Sequence, residues 1–111
     1  MVMKKENLFE GVPDILSEEI FETLGKGKGE FFIERIVSDG HRSSAGFWYD
    51  QETTEWVVLL KGSAEIQFRD SEENVVLRPG DWLEIPARVE HRVESTSPTE
   101  KTFWLAVHWR G

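Results

Sequence analysis

Glu55 and His91 are the residues whose types and settings point most directly to chemistry. Glu55 opens an apolar run, Trp56-Val57-Val58-Leu59-Leu60, which Gly62 closes. His91 ends the stretch Gly80–His91, where a Pro-Gly turn leads into a short strand and then a turn marked by Pro86. A carboxylate at the mouth of one strand and an imidazole at the start of another are the raw material of a metal site or an acid–base pair. A buried carboxylate needs a partner, and His91 is a candidate partner for Glu55. Two further histidines are pocket candidates. His41 lies in a loop between Gly40 and Arg42 and reaches a site only if that loop folds over the mouth. His108 shares a strand face with Trp104 and Ala106, and reads first as a histidine satisfied at the edge of the core. Arg88 and Arg92 bracket His91. They suit an anionic substrate or simply balance the many acids.

The elements that position these groups follow from periodicity. Residues 1–16 form an arm with scattered apolar anchors, Leu8, Phe9, Val12, Ile15 and Leu16. Ser17 suits a helix cap, Glu18 and Glu19 suit the first turn, and Ile20, Phe21 and Leu24 share one helical face. A short helix ending at Gly25 is therefore expected, followed by a flexible joint at residues 25–29. From Glu30 the period changes to two. Strands are expected over 30–38, 46–51, 55–61, 64–69, 75–77, 82–85, 90–94 and 101–109, with turns at Asp39-Gly40, Gly62-Ser63, Asp70–Asn74 and Pro79-Gly80. Short strands separated by turn signals predict an all-β sandwich or barrel. The expected organisation is one domain, with an N-terminal arm and short helix over 1–29 and the barrel over 30–111.

The chain has 111 residues, enough for one domain. Seven Phe, five Trp and one Tyr supply a core, and there is no cysteine for disulfides, thiolate catalysis or Cys-ligated zinc. The net charge of -8 and the lack of a basic cluster beyond Lys4-Lys5 and Lys26-Gly27-Lys28 argue against nucleic acid and anionic membranes as partners. No apolar run approaches the roughly 20 residues of a membrane helix. The first residues carry no apolar signal core, so a cytoplasmic location is expected.

These residues resemble a cupin of the small, single-domain, RmlC-like kind, a double-stranded β-helix or jelly-roll barrel. Glu55, six residues and Gly62 match the second half of the first cupin motif. Gly80, five residues, Pro86 and His91 match the second motif, with Arg88 and Ser95 where the family has Gly and Asn. The resemblance covers about residues 30–109. It implies a divalent transition metal, Fe, Mn, Ni, Cu or Zn, held by two histidines, a glutamate and a last histidine. Of those four, only Glu55 and His91 are present. With three residues before Glu55 the paired histidines are replaced by Tyr49 and Gln51; with four, by Trp48 and Asp50. Asp50 would be an adequate ligand and Gln51 a poor one. Tyr49 and Gln51 facing inward would instead make a hydrogen-bonding pocket.

Two functions follow. One is a metal-dependent cupin enzyme (oxygenase, isomerase, lyase or decarboxylase) with Glu55, His91, Gln51 or Asp50 at the metal and Tyr49, His41, Arg88 and His108 around the pocket. The other is a metal-free, ligand-binding or sensory module without catalysis. Both take a small-molecule ligand. A homodimer joined through the apolar arm is also expected.

Overall fold

A computed structural model describes residues 5–110; residues 1–4 of the arm, and with them Lys4, lie outside the described residues, as does Gly111. Among these described residues eight strands are formed: β1 Ile20–Gly27, β2 Phe31–Ser38, β3 Thr54–Lys61, β4 Ala64–Phe68, β5 Asn74–Leu77, β6 Trp82–Ile85, β7 His91–Thr96 and β8 Thr102–Trp109. They make two antiparallel sheets, ordered β1-β2-β8-β3-β6 and β5-β4-β7. This is a jelly-roll sandwich, the all-β class expected from the sequence. Among the described residues no helix is long and apolar enough to cross a membrane.

The core lies between the sheets. Val57, Leu59, Trp104, Ala106 and Ile36 from the larger sheet meet Ala64, Ile66 and Leu77 from the smaller, with Ile85 beside them. In β3 the strand period is plain: Glu55, Val57 and Leu59 are buried and their neighbours less so. In β2 both faces are covered, which hides the period in the sequence. The second face, with Arg35 and Val37, lies under the N-terminal arm. Arg35 donates to the carbonyls of Leu8 and Glu10, and Phe9 packs edge-on against Phe103 with ring centroids 5.2 Å apart.

Two expected elements differ. The helix near Ser17–Leu24 is absent, and residues 20–27 instead pair with β2 in register Ile20↔Val37 through Gly27↔Phe31. A segment this short fits both periods. Ile20, Phe21 and Thr23 favour a strand, and the hairpin turn at residues 28–30 supplies a sheet partner that an isolated helix lacks. The expected flexible joint is thus the end of β1 and its turn. The expected strand over 46–51 is reduced to one bridge, Tyr49↔His91.

Candidate functional site

Four side chains meet on one wall of the barrel interior. Glu55 on β3 stands directly opposite His108 on β8. Glu34 comes from β2 and His91 from the start of β7. His108 Nε2 is 3.3 Å from Glu34 Oε1 and 3.8 Å from Glu55 Oε2, and His91 Nε2 is 3.6 Å from Glu55 Oε1. The order Glu34, His108, Glu55, His91 thus alternates acid and base across three strands and a strand end.

Local contacts fix each imidazole. His91 Nδ1 is 2.9 Å from the carbonyl of Val89. A carbonyl only accepts, so Nδ1 carries a hydrogen and Nε2 is the position free to exchange a proton toward Glu55. His91 stacks on Tyr49, with ring centroids 5.4 Å apart. His108 lies flat on Phe32 at 4.4 Å, and its Nε2–H donates to Glu34. Glu55 differs from both. Its side chain is 9% exposed, yet among the described residues it accepts no hydrogen bond within 3.5 Å; its nearest partners are the two imidazoles.

The wall opens on a cavity of about 60 Å³. Glu19, Glu34, Tyr49, Gln51, Glu55 and His91 supply its polar lining, and side chains such as Val57, Ile66, Ile85 and Trp104 its apolar lining. Backbone bonds hold the Tyr49–Gln51 segment there. Tyr49 and His91 exchange both N–H···O bonds, and Arg88 N–H donates to the carbonyl of Gln51 at 2.8 Å. Alternation then places Tyr49 and Gln51 inward and Asp50 outward. Asp50 instead meets Arg88 on the surface at 3.4 Å. Arg88 adopts a left-handed φ of 68°, where the cupin pattern has glycine, and its guanidinium also reaches Glu52.

The other sequence candidates sit as follows. His108 does not line the cavity but supports Glu34 and Glu55, which do. His41 is away from it: Nδ1 accepts from Asp39 N–H and Nε2 faces the carbonyl of Ser17, which ties the arm to the loop. Arg92 stacks over Trp48 and reaches the carbonyl of Ser43.

Glu34 and Glu19 were not picked out from the sequence. Glu34 lies on the same strand face as Ile36 and Ser38, a signal blurred because both faces of β2 are covered. Glu19 was assigned to a helix start. Its carboxylate accepts from the Ser38 hydroxyl, which in turn accepts from Trp104 Nε1–H at 3.1 Å. Burial raises the Glu19 carboxyl above its ordinary value of 4.5, the nearby Glu34 charge adds to this, and the Ser38 bond and His41 oppose it. Burial, and then the charges of Glu19, Glu55 and Glu34, push the Tyr49 phenol up to about 12, so it stays protonated.

A raised carboxyl in the folded state means that the fold takes up a proton there. The stabilising contribution is present below the unfolded value and is lost as pH rises through the folded one. Glu19→Gln, which keeps an acceptor for Ser38, is therefore expected to be more stable than wild type at neutral pH. The difference should shrink on acidification toward pH 4.5. Denaturant unfolding at several pH values checks this; a constant difference would contradict it.

The metal implied by the resemblance would need donors beyond Glu55 and His91. Tyr49 and Gln51 occupy the places of the paired histidines, and Asp50 turns away. Among the described residues no group of three or more His, Cys, Asp or Glu is arranged to hold a metal ion. His91, with Nδ1–H on a carbonyl, has the posture of a ligand, but Glu55 and His91 alone do not complete a shell. The donor set does not fit a tightly held transition metal.

Comparison with known proteins bears on the fold and family. The cupin-domain family model matches residues 36–108. No curated protein matches the chain significantly. Among solved structures it is similar to a "putative mannose-6-phosphate isomerase" from Ralstonia eutropha JMP134, with 47% identity and a TM-score of 0.92 over 98% of this chain and 100% of that one. It shares its fold with a cupin superfamily protein from Desulfitobacterium hafniense DCB-2, at 18% identity and a TM-score of 0.71, covering 90% of this chain and 84% of that one. It shares it also with FeII HppE, at 16% identity and a TM-score of 0.71, covering 89% of this chain and 54% of that one. On the family match and the extent of the first likeness, the chain belongs to the cupin family.

Proposed function

We propose that the barrel binds a small polar molecule and transfers a proton on it, with Glu55 and His91 as the acid–base pair. One observation carries this reading. Glu55 is a buried carboxylate on a cavity wall that accepts no hydrogen bond from the described residues. A group left in that state by the fold suits a ligand that completes it. Glu55 is placed to accept a proton, and His91 Nε2 to supply or take one, since its other nitrogen is committed to Val89. His108 and Glu34 position the far side of Glu55. Apolar walls lower the local dielectric and strengthen each of these interactions.

The activity in the name of the Ralstonia relative is a poor match to this cavity. Among the described residues no Lys or Arg lines it to hold a phosphate, and a hexose phosphate calls for positive charge there. Pairing of two copies through the arm is supported by the exposure of Phe9 and Ile15.

The test is proton NMR in D2O with small hydroxy- and amino-carbonyl compounds. Exchange of the C–H beside the carbonyl in the presence of the wild-type protein is expected. Binding without any exchange would overturn proton transfer and leave a ligand-binding module.

A further inference from the structure

Resting on the ligand-binding reading above, we infer that the barrel is built for a small primary amine, bound as its ammonium cation. The lining decides the sign of the charge. Glu19, Glu34 and Glu55 all face the cavity, and among the described residues no Lys or Arg does. Glu19 is the carboxyl that burial pushes toward its neutral form, so the charge is carried by Glu34 and Glu55, and the wall stays net negative unless both His91 and His108 are protonated. A monocation offsets that charge; an anion adds to the repulsion.

The shape of the lining agrees. An ammonium group has three N–H donors and no acceptor, and the wall offers three carboxylates. Glu55 supplies the independent observation: its side chain is 9% exposed and lines the cavity, and its imidazole partners, His91 and His108, stand at 3.6 and 3.8 Å, outside hydrogen-bond distance. Phe21, Tyr49 and Trp104 line the same space. Aromatic faces attract a cation and tolerate a short alkyl tail. The Tyr49 phenol stays neutral, so it adds no charge of its own. A divalent metal ion is a worse occupant, because no group of three or more described donors is arranged around one point.

Isothermal titration of the whole protein with n-propylammonium, 1-propanol and propionate holds size constant and varies charge. Ammonium chloride and potassium chloride serve as inorganic controls. NMR of the Tyr49 and His91 rings locates any binding. n-Propylammonium is expected to bind at least about tenfold more tightly than the alcohol, and propionate not to bind. Glu55→Gln and, separately, Glu34→Gln should each weaken the amine about tenfold or more while leaving the folded spectrum intact. Two results overturn the amine inference but keep the pocket: equal or tighter binding of propanol or propionate with Glu55-dependent ring shifts, or binding by the inorganic cations alone. Absence of any ring shift with all these probes would remove both the inference and the ligand-binding reading beneath it.

Discussion

Gly62→Ala is expected to destabilise the protein by about 3 kcal/mol or more, enough to lower Tm by roughly 10 °C. Gly62 has a φ of +91°, in the left-handed region that disfavours a side chain. A Cβ there would meet the hydroxyl of Thr102 and lie 2.7 Å from its Cα. Thr102 is fully buried and its hydroxyl donates to the carbonyl of Ser63 at 3.2 Å. The obstacle is backbone on the central strand β8, so no rotamer change relieves it. Gly80 is the natural control. Its φ is +94°, but nothing lies within 4 Å of the added methyl. Gly80→Ala carries only the backbone cost, on the order of 1 kcal/mol. Chemical denaturation of both variants separates the two costs. Equal losses would show that the approach of Gly62 to Thr102 does not govern the barrel.

His91→Gln is expected to lower proton exchange on a bound substrate by about 100-fold or more. The variant keeps a polar group of similar reach but cannot take up or release a proton. The tie to Val89 commits Nδ1, so wild-type chemistry runs through Nε2. Glutamine can replace the contact but not the transfer. His108→Gln should cost less, because His108 lies outside the cavity and acts on Glu55 and Glu34 from the far side. Exchange rates measured by NMR at saturating substrate rank the variants. A larger loss at His108 than at His91 would reverse the assigned roles.

Much of this was legible in the residues themselves. The alternation around Glu55 and the turn glycines rest on local patterns that the sheets preserve, whereas the pairing of Glu55 with His91 joins strands of different sheets and is suggested by the motif resemblance. The N-terminal element was misread because Ile20, Phe21 and Leu24 fit two periods, and only the hairpin with β2 decides between them. The register of Tyr49, Asp50 and Gln51 was ambiguous for another reason. It is set by backbone bonds to Arg88 and His91, roughly forty residues away in sequence, and no local signal encodes it. Glu34 was hidden because the arm buries the outer face of β2 and erases the strand period. His108 read as a core-edge histidine; it is buried, and its partners Glu34 and Glu55 are what connect it to the cavity.

The central claim is that the Glu55 carboxylate is kept for a ligand and is not needed by the fold. Its most direct test is the unfolding free energy of Glu55→Gln against wild type, in the same buffer near pH 7 without ligand. Glu55 has ion-pair distances of 3.6 and 3.8 Å and, among the described residues, no hydrogen bond that the fold would lose on substitution. The variant is therefore expected to be as stable as wild type within about 1 kcal/mol, or more stable. A loss of about 3–5 kcal/mol, the cost of breaking a buried ion pair that the fold relies on, would show that Glu55 is structural and contradict the site.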